Sequence, residues 1–444
     1  MELNFSQGDG LTTTVPDDSI GVPGHVLPES YYAAIRTLPS DLIGKERIRL
    51  MAERILMLPE EDVAAVRTIY RKLAYYMTRV DASDMDLGGP ACNRRIWMRV
   101  DGFKKPIDQL GQLTFDESDA LLLTMLTERQ QGELVEHFSC DLSYTLQPEQ
   151  EGIKLDFGTA NGVQKPRRYR TTIYFDNQHL AVCMRMLAET AFPLKSLGFH
   201  PLIEQGLMFS KVRDGVNLVT GVTGSGKSTT LDAIIEANNL DFDGHILLVA
   251  KPIEYMHTSK RCIIRHREVG TDVNSFVDGM IQGLRQDPDI VVVGEMRDPE
   301  TISSALEMAD TGHKVFSTLH TASAVETIDR IVAEYPTDEQ ERIRNRLADV
   351  LRCIISQKLL PGRKGGRVLA KEVLWLHPPA KAAIKNGNVH EIYQMIWEGS
   401  KHGMITLEQD LFRLVARGKV TPKVALNYAN NKKRLVQLMQ QAGA

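Results

Sequence analysis

Residues 221–229, GVTGSGKST, constrain this chain more than any other stretch. The apolar run Gly215–Thr220 precedes them directly and reads as a strand. The run 230–235, TLDAII, follows and reads as the opening of a helix. Strand, glycine loop and helix are the setting in which G-x-x-x-x-G-K-[ST] becomes a phosphate cradle. Gly221, Gly224 and Gly226, with Val222, Thr223 and Ser225 between them, let backbone N–H groups turn toward one point. The helix N-terminus adds its positive end there. Lys227 can reach the β- and γ-phosphates, Ser228 can offer its hydroxyl to Mg²⁺, and Thr229 follows on the helix. The competing reading is a glycine turn that binds nothing, and the complete motif with both flanks argues against it. The expected ligand is a nucleoside triphosphate, ATP, with Mg²⁺.

Composition narrows the classes further. A chain of 444 residues predicts two or three domains. A net charge of -4 gives no global basic field, so no direct nucleic-acid partner is expected. No stretch approaches the ~18 apolar residues that a membrane span needs. The first residues, MELNFSQGDG, have neither a basic start nor an apolar core, so they do not read as a secretory leader. Cys92, Cys140, Cys183, Cys262 and Cys353 are scattered, and no two form C-x-x-C. That pattern predicts free thiols in a reducing, cytoplasmic compartment and no zinc site.

Along the chain, 1–28 reads as a disordered tail and 29–65 as a helical extension, with Ile48, Met51, Ile55 and Leu58 at helical steps. Residues 66–190 mix short elements in an α+β pattern. These are a helix over 60–77, a hairpin after 95–100 signalled by Asp101-Gly102, a helix over 115–138, and strands at 141–144, 153–157 and 169–175. Residues 191–206 look like a linker. From 207 to 376 strands and helices alternate, which predicts a parallel sheet covered by helices. The expected strands are 215–220, 245–250, 290–293 and 314–318. The expected helices are 276–285, 299–311, 324–333 and 340–357. Residues 377–444 read as a mostly helical region.

Three further signals follow strands of that sheet. Asp289-Ile290-Val291-Val292-Val293-Gly294-Glu295 is a buried strand ending in a carboxylate, which could order the Mg²⁺ water shell or the attacking water. Glu254, in PIEYMH after the strand 246–250, lies where parallel folds bind ligands and is the candidate to orient or deprotonate the lytic water. His320, in STLHTASA, could contact a phosphate, although a single histidine is often only structural. Arg167, Arg168, Arg170 and Arg185 lie far upstream. They are either a solvated basic strand face or charge brought onto the γ-phosphate from another domain or subunit.

The motifs GVTGSGKSTTL, PIEYMH, REVGTDVNSF, LRQDPDIVVVGEMRDPETISSALEMADTGH and STLHTASAVETIDRIV stand here in order, followed by ISQKLL and GGRVLAKEVL. With Arg99-Val100-Asp101-Gly102 and Arg168-Tyr169-Arg170 upstream, the chain resembles the secretion-type ATPases, and among them the PilT-like type IV pilus retraction ATPases. The resemblance implies an α/β fold. A RecA-like P-loop NTPase domain with a parallel sheet would be preceded by a PAS-like α+β N-terminal domain. It implies a homo-hexameric ring in which ATP sits between the two domains at subunit contacts. It makes Glu254 the catalytic glutamate, Glu295 the Walker B acid (acting on Mg²⁺ through water beside Ser228), His320 part of the histidine box, and Arg168 and Arg170 the arginines that reach the nucleotide. The implied partners are an inner-membrane platform protein, met at the cytoplasmic face of that membrane, and a paralogous motor ATPase.

The sequence departs from the family at three places. The acidic pair before Pro-Ile-Glu is Ala250-Lys251, a third arginine falls on Gln178, and the C-terminal AIRNLIRE element aligns with residues 380–387, AKAAIKNG. The expected output is pilus retraction and twitching motility. The alternatives are the ATPase of a type IVB-like secretion or conjugation system and a weakly hydrolysing accessory subunit of a pilus motor.

Overall fold

The computed structural model describes residues 27–100, 103–150, 153–154, 166–187 and 191–441. The tail read over 1–28 falls almost wholly outside the described residues. The chain forms two compact units, Met1–Leu187 and Ala188–Ala444.

The first unit runs α1 (Glu29–Arg36), α2 (Gly44–Ile55), α3 (Glu60–Arg79), β1 (Asp84–Gly88), β2 (Trp97–Val100), β3 (Phe103–Pro106), α4 (Phe115–Thr124), α5 (Glu128–His137), β4 (Ser139–Leu146), β5 (Glu149–Gln150), β6 (Ile153–Lys154), β7 (Arg167–Asp176) and β8 (His179–Met186). Its six-stranded sheet has the order β3-β2-β1-β8-β7-β4, and every pairing is antiparallel. The helices bury Ile48, Met51, Ile55, Leu73 and Leu122 in the same core as Met85, Ile173 and Val182 of the sheet. The extension is therefore part of the domain. The Tyr31 hydroxyl lies 3.0 Å from that of Thr124, Tyr32 donates to Glu117 at 2.7 Å, and Arg47 pairs with Asp116 at 2.8 Å. The boundary read at 65/66 falls inside the unbroken α3.

Two expectations need correction here. The helix over 115–138 is two helices, because Thr127 starts a second capping box with Gln130 just as Thr114 does with Glu117. β1 and β8 carried no strand reading, yet β8 lies between β1 and β7 in the sheet. The hairpin after Trp97–Val100 pairs Val100 with Phe103, and its turn lies outside the described residues.

The second unit runs α6 (Pro201–Leu207), β9 (Gly215–Thr220), α7 (Lys227–Asp241), β10 (Gly244–Ala250), β11 (Cys262–Glu268), α8 (Phe276–Gly283), β12 (Ile290–Val293), α9 (Pro299–Asp310), β13 (Lys314–Leu319), α10 (Ala324–Ala333), α11 (Gln340–Val350), β14 (Leu351–Pro361), β15 (Arg367–Trp375), α12 (Pro378–Lys385), α13 (Ile392–Glu398), α14 (Leu407–Ala416), α15 (Pro422–Tyr428) and α16 (Lys432–Gln441). The seven strands lie in the order β11-β10-β12-β13-β9-β14-β15, all parallel except β15. Alternate residues feed opposite faces, as the pleat requires. Val291, Val293 and Val315 pack with α9, α10 and α11, while Ile290, Val292 and Phe316 pack with α6 and α7. The four strands expected from the sequence are the neighbouring four β10-β12-β13-β9. The helix expected over 340–357 stops at Val350, and Leu351 enters the extended region to begin β14. The run Leu351-Arg352-Cys353-Ile354-Ile355 suits a strand buried between β9 and β15 better than another helical turn.

The stretch read as a linker is tied into this unit. Lys314, fully buried, donates to the carbonyls of Gly206 and Val212 at 2.8 and 2.7 Å, and burial pushes its ammonium down to about 7. At the other end, buried carboxylates tie β15 to α10 and to α14, and α14 to the turn before α16. Glu372 accepts from the Ala324 N–H at 2.8 Å, Glu408 from Asn431 N–H at 2.8 Å, and Asp410 from Lys371 N–H at 2.9 Å. Burial pushes Glu372 up to about 7. The segment aligned with the altered retraction element forms α12, burying Ala380, Ala383 and Ile384 while Lys385 pairs with Asp349 at 2.7 Å. Among the described residues no helix is long and apolar enough to cross a membrane.

Candidate nucleotide site

β9 ends at Thr220 and α7 begins at Lys227, so the glycine loop spans the gap between a buried strand and a helix N-terminus. A Cβ at Gly221 would lie 2.4 Å from Ser225 Oγ and 2.5 Å from the Gln357 carbonyl. Gly224 and Gly226 hold φ of 78° and 88°, which favour glycine. The loop thus closes on itself and against β14, where Gln357 Nε2 donates to the Ser225 carbonyl at 3.0 Å. Val222, Thr223 and Gly224 remain exposed along its outer edge. Lys227 Nζ donates to the Gly221 and Val222 carbonyls at 2.9 and 3.3 Å. Burial lowers its pKa, while the charges of Glu295 and Glu254 oppose that shift.

The other candidates follow the neighbouring strands of the same sheet. Gly294 N–H donates to Val249 O at 2.8 Å, Met296 N–H donates to Thr318 O at 3.1 Å, and Thr318 Oγ1 donates to Gly294 O at 2.7 Å. These bonds hold the loop that carries Glu295. Glu295 Oε2 pairs with Arg297 Nε at 2.7 Å and lies 3.8 Å from His320 Nε2. His320 is exposed, and its pKa is lowered by partial burial and by the Lys227 charge. That shift favours the neutral imidazole, which can give or take a hydrogen bond. Glu254 is half-buried in the irregular segment after β10, whose Ile253 N–H donates to Glu268 Oε2 at 3.4 Å. Lys227, Glu254, Glu295 and His320 are therefore brought to one place. Ser228 sits in the first turn of α7.

Arg168 and Arg170 belong to the first unit, on β7, where they alternate with buried Tyr169 and Thr171. Arg168 Nη2 donates to Ser143 Oγ at 3.1 Å. Strand register lines up Arg99, Asp84, Arg185 and Arg170 across the sheet. Arg185 and Arg99 contact Asp84 at 2.7 and 3.3 Å. Burial would raise the Asp84 pKa, but these arginines hold it below the usual value. Gln178, at the position of the third family arginine, occupies the two-residue hairpin turn between β7 and β8 with φ of 76°. Sequence reasoning missed Gln357 and Arg297, and it missed the packing of PIEYMH on α7. For the last a signal existed: Asp232 and Glu236 stand four apart on α7 and so share a face.

The chain matches the family of the type II/IV secretion system protein over residues 170–365. It is 35% identical to the type IV pilus retraction ATPase PilT of Pseudomonas aeruginosa, over 79% of this chain and 95% of the relative. A twitching motility protein of Neisseria gonorrhoeae is 38% identical, over 64% of this chain and 74% of its own. Among solved structures, the pilus retraction motor PilT with bound ADP superposes with a TM-score of 0.69 at 32% identity, covering 83% of this chain and 98% of that one. A glycine loop at the C-terminal end of an interior strand of a mostly parallel sheet, with two strand-following glutamates nearby and a match along nearly the whole of a curated relative, makes this chain a PilT-like member of the secretion-type ATPases.

Proposed function

We propose that the chain is a homo-hexameric motor that couples ATP hydrolysis to type IV pilus retraction, acting on an inner-membrane platform protein from the cytoplasmic side. The observation that carries this reading is the convergence of Lys227, Glu254, Glu295 and His320 around one glycine loop. In it, the loop N–H groups and Lys227 bind the β- and γ-phosphates, and Glu254 orients and deprotonates the lytic water. His320 meets the γ-phosphate as a neutral imidazole. Ser228 and Glu295 offer hard oxygen atoms, which suits Mg²⁺ because that ion takes one or two protein oxygens and completes its shell with phosphate and water. When bound, Mg²⁺ neutralises charge on the β- and γ-oxygens. Arg168 and Arg170 supply positive charge to the γ-phosphate of a nucleotide. Repeated binding and release would open and close the units of the ring and so perform work.

The first test is steady-state ATP hydrolysis by the full chain with mass measured on the same sample. Mg²⁺-dependent turnover by a hexamer supports a motor. A hexamer that binds ATP but does not turn it over would instead favour an accessory subunit, with exposed Lys251 in the loop of Glu254 as the reason. Restoration of twitching in a bacterium lacking its own retraction ATPase tests the output. Arg168→Ala is expected to lower kcat by up to about 10³, the lower range for an arginine finger, with an unchanged melting temperature. A variant that turns over at the normal rate would remove Arg168 from the site.

A further inference from the structure

The segment 251–261 between β10 and β11 is irregular, yet it is pinned along its length. On one side stands the Ile253 bond to Glu268. On the other, Asn239 of α7 donates to Thr258 O at 2.9 Å and accepts from Lys260 N–H at 3.0 Å, while Lys260 Nζ pairs with Glu236. Between these pins sits His257, whose side chain has no exposed surface. Its Nε2 lies 3.2 Å from Asp232 Oδ1 and its Nδ1 lies 3.3 Å from Glu236 Oε2. A neutral imidazole has one N–H, so it would leave one ring nitrogen with its lone pair against a carboxylate. With Asp232 and Glu236 both ionised, the imidazolium satisfies both contacts at once; burial raises the Asp232 pKa, and the His257 hydrogen bond opposes that shift. The next ring, His266 on β11, accepts the His257 backbone N–H on Nε2 at 3.0 Å.

We propose that His257 is a positioning residue for hydrolysis: held as an imidazolium between Asp232 and Glu236, it fixes the loop carrying Glu254 against the helix that begins at Lys227. The inference rests on the reading of Glu254 as the group that activates water. Glu254 precedes His257 by three residues, and the Tyr255 ring packs edge-to-face with the imidazole, their centroids 4.6 Å apart. The groups facing the clamp are Asp232 and Glu236 from α7, His266 from β11, and Glu254, Tyr255 and Lys260 from its own loop. Burial alone would push the His257 pKa down, but the two carboxylates outweigh it and raise it above the ordinary histidine value. Glu236 is drawn down to about 2, chiefly by the His257 hydrogen bond. For a raised group, the clamp is intact at low pH and is lost as pH rises through the folded-state value. Loosening a catalytic group by about 1 Å can cost about 10² in rate.

The test follows turnover of the full-chain hexamer from about pH 6 to about pH 9, a span that brackets histidine titration. Amide hydrogen exchange over 251–260, ADP affinity and melting temperature are read on the same samples. His257→Gln is expected to lower kcat by about 10–10², with KM and ADP affinity nearly unchanged and faster exchange in that loop. Asp232→Asn is expected to flatten the alkaline limb seen in the wild type, because a neutral imidazole can donate to Glu236 and accept from the new amide. A limb due to Lys227 would persist in that variant. Wild-type kcat, limb and exchange in His257→Gln overturn the proposal. So does a retained limb in Asp232→Asn together with parallel loss of melting temperature and ADP binding in His257→Gln. If Glu254→Gln hydrolyses ATP normally while His257→Gln still loosens the loop, the role given to Glu254 fails and the clamp stands.

Discussion

Lys227→Ala is expected to abolish measurable ATP turnover, with kcat reduced by about 10³ or more and nucleotide affinity reduced with it. The lysine ammonium is half-buried at the mouth of the glycine loop, held by the Gly221 and Val222 carbonyls and facing the charges of Glu254 and Glu295. Removing it takes away positive charge where the β- and γ-phosphates bind and leaves two carboxylates to repel them. The loop itself keeps its shape, because Gly221 and Ser225 are packed against β14 and not against the lysine stem. A coupled ATPase assay beside a thermal melt separates the two effects. Turnover above about a tenth of wild type would contradict the phosphate-binding role, since loss of one transition-state donor alone typically costs about 10².

Glu254→Gln is expected to give the complementary result, a fall in kcat of about 10²–10⁴ with nucleotide affinity preserved. The amide keeps the size and one acceptor oxygen of the side chain but cannot take a proton from water. The half-buried position after β10 and the pinned flanks of the segment leave the substitution sterically neutral. Single-turnover hydrolysis and fluorescent ADP binding, measured together, give the answer. Equal losses in binding and turnover would mean that the residue shapes the pocket and does no proton transfer. These two outcomes would divide the site, with Lys227 acting on bound phosphate and Glu254 on the bond-breaking step.

Much of this was legible in the sequence, and the reasons differ by element. The strand-loop-helix around 221–229 combines motif, period and flanks, so local signals agree. β10, β12, β13 and β9 are short apolar runs with punctuation at both ends, and the structure makes them neighbours. β14 was hidden because an apolar run directly after a helix carries no turn residue to mark the change, and β9, its parallel partner, is remote in sequence. The break between α4 and α5 was hidden by a helical apolar stripe that continues through Met125 and Leu126, although Thr127 and Gln130 spell a capping box. In the site, Glu295, Glu254 and His320 were readable as polar residues closing buried strands. Gln357 was not, because a glutamine in the middle of a strand has no local pattern that says it braces a loop far upstream. For His257 the only signal was the acid pair Asp232 and Glu236 on one face of α7, which does not name a partner lying a full strand further along.

The buried carboxylates at the C-terminal end have a consequence for inheritance. Glu408 and Asp410 have no exposed surface, and Glu372 ties β15 to the first turn of α10, just past His320. Lys358, adjacent to the loop-bracing Gln357, reaches Tyr428 O at 2.9 Å and Asn430 Oδ1 at 2.7 Å. A region that reads as an appendage is therefore part of the same polar lattice as the phosphate loop. Chimeras that exchange this region between related motors would swap support for the active site along with any surface that meets a partner. Such segments can diverge on their outer faces while their inner residues change only in concert with the sheet, so lineages should pass on the two as a single module.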